Sequence, residues 1–182
     1  MKKFLVFLGV VLVVILCVIT YVRLVQTKKA SPEETVNLSD GDLNVSVFYN
    51  RPYKKGRIIF GELVPFNKPW RTGANEATVF ESNKTLIFKG KELKAGKYSL
   101  FTIPGEQVWT IIFNTEYGQW GIKFNGEVNR NPAKDVVVIE VPSVLQEKEF
   151  EQFTISLEKA DEEKEMILMW DKTLVSVPFS VK

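Results

Sequence analysis

Histidine is missing from all 182 residues, and cysteine occurs once, at Cys17. Without histidine, Ser-His-Asp triads, Cys-His dyads and histidine-ligated zinc or iron centres are excluded in their usual forms. No thiol follows Cys17, so the bulk of the chain holds no disulfide, no thiol nucleophile and no cysteine metal site. Phosphate-cradling glycine motifs of the G-x-x-x-x-G-K-[ST] and G-x-G-x-x-G kinds are also missing. What remains is carboxylate or lysine chemistry, a carboxylate-only metal site, or no chemistry at all, and no cofactor is expected. A strong charge of either sign is lacking too. Without residues 1–23, which carry Lys2, Lys3 and Arg23 and no acid, 21 basic side chains face 22 acidic ones, a net of −1. Nucleic acid is therefore not expected as a partner.

What the chain does have is a long apolar run. "FLVFLGVVLVVILCVITYV", residues 4–22, carries no charge, and at about 1.5 Å rise per residue a helix of this length nearly spans a hydrocarbon core of about 30 Å. Residues 1–3 form a short basic segment before it. A cleaved signal peptide would have a shorter apolar region and a small-x-small cleavage site, which "LCVITYVRLVQTKKAS" does not supply. Lipidation at Cys17 is disfavoured by Leu16, where processing requires a small residue. The sequence predicts one membrane helix, an uncleaved signal anchor. Lys2, Lys3 and the terminal amine balance Arg23, Lys28 and Lys29 across it, so charge leaves the orientation open. Residues 23–38, "RLVQTKKASPEETVNL", read as a polar tether.

From residue 39 to 182 the periodicity is two. "LNVSVFYN", "TVFES", "KTLIFKG", "KYSLFTIP", "VWTIIFN", "DVVVIEV", "EQFTISLEK", "KEMILMWD" and "LVSVPFSV" are short runs rich in β-branched and aromatic residues. Turn signals separate them: Lys89-Gly90, Ala95-Gly96, Pro104-Gly105, Asp171-Lys172 and a charged tip, "ADEEKE". "PSVLQEKE" has the signature of one or two helical turns, with Ser143 capping and Gln146 completing the box. The fold class expected is all-β, an antiparallel two-sheet β-sandwich of about eight or nine strands, with a jelly roll as one form it can take.

Between Phe60 and Ala77 the alternation fails. "GELVPFNKPWRTGANE" is far longer than the usual connection of about 4–6 residues. Its apolar members, Leu63, Val64, Phe66 and Trp70, predict a structured loop. "RPYKKGRIIFGELVPFNKPWRTGANEAT", followed by "AGKYSLFTIPGEQVWTIIFN", "QWG", "FTISLE" and "MWDKTLVSVP", closely resembles the bacterial family of unknown function numbered 2911, over about residues 45 to 180. The resemblance implies an exported all-β domain of Bacteroidetes type, often behind a signal peptide or anchor. It places the soluble part on the periplasmic or outer side of the membrane and brings no activity with it.

Seven residues are candidates for a binding site: Arg51, Arg57, Trp70, Arg71, Asn75, Glu76 and Trp120. A guanidinium holds carboxylate, phosphate or sugar hydroxyls, and Asn75 both donates and accepts. Glu76 would serve as a general base if burial raised its pKa. Trp70 and Trp120, beside glycines, suit stacking, whereas Trp109 and Trp170 sit in strand patterns and belong to the core. The plain alternative is that Arg71 pairs with Glu76 while Gly73 permits the turn. Three functions follow: a membrane-anchored module binding a small molecule, glycan or peptide, a structural part of the envelope, or a carboxylate hydrolase using Glu76 and Arg71.

Overall fold

The computed structural model describes residues 2–160 and 163–182. It opens with one unbroken helical run made of α1 (Lys2–Tyr21), a π-helical stretch (Val22–Gln26) and α2 (Thr27–Ala30). This run is long and apolar enough to cross a membrane, and no residue of α1 is buried in the protein. The polar tether expected at 23–38 is not found. Residues 23–30 continue the helix, and residues 33–40 form β1 (Glu33–Asp40), so only Ser31 and Pro32 separate helix from sheet. The strand escaped the sequence reading because it lies at the sheet edge, where only Val36 and Leu38 pack on the core.

The other strands are β2 (Leu43–Asn50), β3 (Val79–Ser82), β4 (Leu86–Phe88), β5 (Lys91–Leu93), β6 (Gly96–Ile103), β7 (Val108–Asn114), β8 (Asp135–Ala160) and β9 (Glu163–Val181). Their ladder is continuous and antiparallel throughout, in the order β1-β2-β3-β6-β7-β8-β9-β4-β5. They form one sheet where the sequence reading expects two. That sheet is strongly curled. β3 and β4 stand five places apart, about 24 Å in a flat sheet, yet the Phe80 and Phe88 rings lie 6.0 Å apart. Phe88 also meets Phe113 of β7 at 4.7 Å and Phe179 of β9 at 5.4 Å. The two ends of the sheet thus share one apolar core.

β8 makes the curl. Its first part, to Pro142, pairs with β7; its second, from Ser143, pairs with β9 through register shifts between Leu145 and Thr154. The helical turns predicted at "PSVLQEKE" are therefore wrong. Ser143, Val144 and Leu145 pair with Val175, Leu174 and Thr173 of β9, and the Ser143 hydroxyl donates to the Glu106 carbonyl instead of capping (2.9 Å). Asp171-Lys172 is likewise no hairpin turn. Asp171 adopts φ +54 inside β9, opposite Phe150 where extra residues of β8 bulge out of the ladder, and accepts a bond from Lys54 (2.7 Å). Lys89 and Gly90, with φ of 47 and 79, do form the tight turn between β4 and β5. The charged tip "ADEEKE" falls in part on 161 and 162, outside the described residues.

A second, smaller apolar cluster covers the other face of β6 and β7, where Phe101 and Ile112 lie with Ala77, Ile103 and Val128. The lids on that face are the long loop after β2 and the connection after β7, the two segments that hold most candidate residues. Because Phe88 bridges both ends of the sheet, Phe88→Ala is expected to cost about 3–5 kcal/mol. Val108→Ala, at a half-exposed position, is expected to stay within about 0.5 kcal/mol. Denaturant titration of the two variants measures the difference.

Candidate functional site

The long loop is anchored by aromatic packing. Trp70 stacks on Trp170 (centroids 6.0 Å, 18° between planes) and meets Phe153 at 5.0 Å, Phe60 at 6.3 Å and Trp109 at 6.4 Å edge to face. Each such pair adds roughly 0.5–1.5 kcal/mol beyond burial. The backbone of Trp70 exchanges two bonds with Thr102 (2.7 and 3.0 Å), so the loop continues the ladder of β6 where β3 has ended. The indole N–H of Trp70 donates to the Gly73 carbonyl (3.0 Å).

The next residues turn sharply. Thr72, Gly73 and Asn75 all have positive φ, of 57, 150 and 55. A β-branched residue in that region is a strained exception. Thr72 is held there fully buried, its hydroxyl bonded to that of Thr102 (3.1 Å). At Gly73 a Cβ would come within 2.9 Å of the Asn50 carbonyl oxygen, so no other residue fits.

This corner sends its polar side chains to different places. Asn75 and Glu76 face the end of the helix. Asn75 Nδ2 donates to Asn50 Oδ1 (3.1 Å) and to the carbonyls of Thr27 (3.3 Å) and Ser31 (3.4 Å), which ties the loop to the end of the helix. Glu76 accepts from Lys28 of α2 and from Asn50 Nδ2 (3.1 Å). Lys28 also bonds Glu33. The expected Arg71–Glu76 pair does not form, because Lys28 reaches Glu76 from the helix. Burial works to raise the Glu76 carboxyl, but the Lys28 ammonium, a backbone amide and Asn50 outweigh it and hold the group below its ordinary value. A general base needs the opposite shift.

Arg71 turns the other way. Its Nη1 donates to the Trp120 carbonyl (3.2 Å), and its stem packs on Gly121, where a Cβ would meet Arg71 Cδ at 2.8 Å. Burial lowers its pKa, with the Glu76 charge opposing. Arg71, Trp70 and Arg57 together line a cavity of about 360 Å³, with Pro52, Leu63, Pro65, Val128 and Trp170 among its other walls. Arg57 spends two donors on the carbonyls of Lys54 (2.9 Å) and Tyr53. Among the described residues neither Arg57 nor Arg71 has a carboxylate in ion-pair range; the arginine pairs are made by Arg51 and Arg130. Trp170 is 2% exposed, and its indole N–H has no acceptor among the described residues.

Two candidates lie elsewhere. Arg51 ties strands together through Glu34 (2.6 Å), the Phe153 carbonyl (3.2 Å) and the Thr154 hydroxyl (2.9 Å). Trp120 lies under the guanidinium of Arg23, 4.8 Å from it, on the side towards the helix. The residues that sequence reasoning missed are Lys28, assigned to the tether, and Trp170, assigned wholly to the core. Among the described residues no group of three acids or thiols is placed to hold a metal.

A family model described as a protein of unknown function, DUF2911, matches residues 31–179. This chain is a DUF2911 protein. The match starts at Ser31, the first residue after the helix and one buried beneath Asn75. The DUF2911 domain therefore includes β1 and begins where the loop receives the helix. No curated protein matches the chain, and no solved structure does.

Glu76 titrates in a known direction. A carboxyl held below its ordinary value contributes its stability above that value and loses it on protonation. Glu76→Gln is thus expected to lower the stability of this DUF2911 protein by about 1–2 kcal/mol at neutral pH. The gap to wild type should be full above the ordinary carboxyl range and close as the pH falls below it, through the lowered value of Glu76. Urea unfolding of both chains in detergent at neutral and at acidic pH measures it.

Proposed function

We propose that the chain is a membrane-anchored binding domain on the periplasmic or outer side of a bacterial envelope, and that its ligand occupies the cavity beneath Trp70. In this reading the curled sheet acts as a two-layered sandwich, the span at 4–22 keeps it at the membrane, and the long loop closes one end around the ligand.

The observation that carries the reading is the pair of guanidinium groups, Arg57 and Arg71, without acid partners among the described residues, on the wall of a cavity that Trp70 and Trp170 also line. Arg57 is exposed and Arg71 half-buried, and a half-buried guanidinium is stabilised by an anion. The remaining walls are prolines, aliphatic groups and the Trp70 ring, which suit a ring or short aliphatic body. At about 360 Å³ the space is at the small end of ligand sites. A sugar acid, a small carboxylate or the end of a peptide fits that description. Glu76, bonded to Lys28 and lowered in pKa, gives the hydrolase reading no support.

Thermal-shift measurements on the full chain in detergent, against neutral sugars, uronic acids, short peptides and sugar phosphates, test this. An acidic compound at about 100 times its dissociation constant adds roughly 2.7 kcal/mol, or about 5–10 °C for a domain of this size. Arg71→Gln and Arg57→Gln should abolish or reduce the shift. No shift from any compound, with Arg71→Gln itself lowering the midpoint, would assign the arginine to structure and leave an envelope scaffold as the function.

A further inference from the structure

The segment after β7 borders the ligand cavity through Ile122, Gly126 and Val128, and it also carries a tip that faces away from ligand binding. Ile122 and Val128 bridge as an antiparallel pair, Lys123 N donates to the Glu127 carbonyl (2.8 Å), and Gly126 N to the Lys123 carbonyl (3.0 Å). Asn125 Oδ1 accepts from Glu127 N (3.1 Å), and Gly126 has φ +85. These bonds make a small, self-sufficient hairpin. Its tip presents Phe124, fully exposed at 115% of the reference area. One exposed phenylalanine needs no explanation by itself, but Phe124 continues an apolar crevice with Ile122, Val18, Ile19 and Val22, and a contiguous exposed apolar patch marks an interaction site.

The neighbours of that tip are residues of the apolar helix. Trp120, Ile122, Lys123 and Phe124 face Val18, Ile19, Val22 and Arg23 across an open crevice of about 740 Å³. Val18 lies four residues before Val22, where the apolar run ends, which is about 6 Å along the helix axis. The crevice therefore reaches alongside the last turns of the apolar run, and if α1 crosses a bilayer, the hairpin that walls it lies beside the place where the helix leaves the hydrocarbon. The residue types gathered there are those of a membrane boundary: apolar Phe124 and Ile122, an indole at Trp120, and the cations Arg23 and Lys123. Arg23 over the Trp120 ring (4.8 Å) joins helix and loop there.

We propose that the hairpin at 122–128 is a second membrane contact, inserted into the leaflet from which the helix emerges, and that a phospholipid acyl chain fills the crevice between them with its phosphate against Arg23 and Lys123. This rests on the anchor reading of residues 4–22. The crevice is continuous with the lipid-facing wall of the helix, so the hydrocarbon that surrounds the span has a direct path into it. Its apolar walls ask for hydrocarbon, and Arg23, together with Lys123 once it leaves its long, exposed pair with Glu127 (3.7 Å), asks for an anionic headgroup.

The tryptophans make this testable without labels. The helix contains none, Trp109 and Trp170 are 2% exposed, and Trp70 is stacked within their cluster, which leaves Trp120 as the indole at the crevice. The full chain is reconstituted into vesicles of phosphatidylcholine and phosphatidylglycerol whose acyl chains carry bromine either near the headgroup or near the bilayer centre. Shallow bromine is expected to quench roughly one quarter of the emission, the share of one tryptophan in four, and deep bromine clearly less. Trp120→Phe should remove the quenched component, and Phe124→Asp should at least halve it, since a carboxylate expels the tip from hydrocarbon. Alkaline carbonate extraction of the same vesicles separates the two levels of the argument. A chain that stays in the membrane with no bromine quenching, or with quenching unchanged in Trp120→Phe, overturns the hairpin insertion and leaves the anchor standing. A chain that carbonate strips from the vesicles overturns both.

Discussion

The stack of Trp70 on Trp170 is the contact on which the functional end of this protein depends. Residues 51–78 contain no regular strand, and a loop of that length has no ladder of its own to hold it. One indole, clamped among Phe60, Trp109, Phe153 and Trp170, fixes its midpoint, and the backbone bridge to Thr102 fixes its direction. Everything beyond follows from that position. The chain must reverse within a few residues to enter β3, which forces Thr72, Gly73 and Asn75 into left-handed or extended positive-φ geometry and divides their neighbours between two sides of the corner.

That division explains why one short motif serves two purposes. On one side, Asn75 and Glu76 receive the end of the helix through Thr27, Lys28 and Ser31. On the other, Arg71 supports Gly121 and the Trp120 carbonyl while its charge borders the cavity. The corner is thus a joint between the N-terminal helix and the domain as well as a wall of the candidate site. Strain at Thr72 is tolerated because the surrounding packing leaves no alternative conformation.

Much of the architecture was legible because its signals are local. The apolar run, the alternating strands and the Lys89-Gly90 turn each depend on a few adjacent residues. What escaped depends on partners distant in the chain. β1 looks like a linker because an edge strand buries little, and Val36 and Leu38 acquire meaning only against the core. "PSVLQEKE" carries a helix-start pattern that the ladder with β9 overrides. The pairing of Arg71 with Glu76 was the nearest choice in sequence, yet the lysine that takes Glu76 lies 48 residues away. The Phe124 hairpin did leave a readable trace, an Asn125-Gly126 turn beside an aromatic, though nothing local tells that the span lies alongside.

The direct passage from α2 to β1, with only Ser31 and Pro32 between them, has a mechanical meaning. A domain on a slack leash sweeps a hemisphere and presents every side of itself in turn. Here the shaft runs into its socket through two residues, so any lean of the shaft is copied by the head. Under the anchoring proposed above, the head would tilt and turn with its shaft and would not sweep freely, and the proposed cavity would be carried at a nearly constant reach from the membrane.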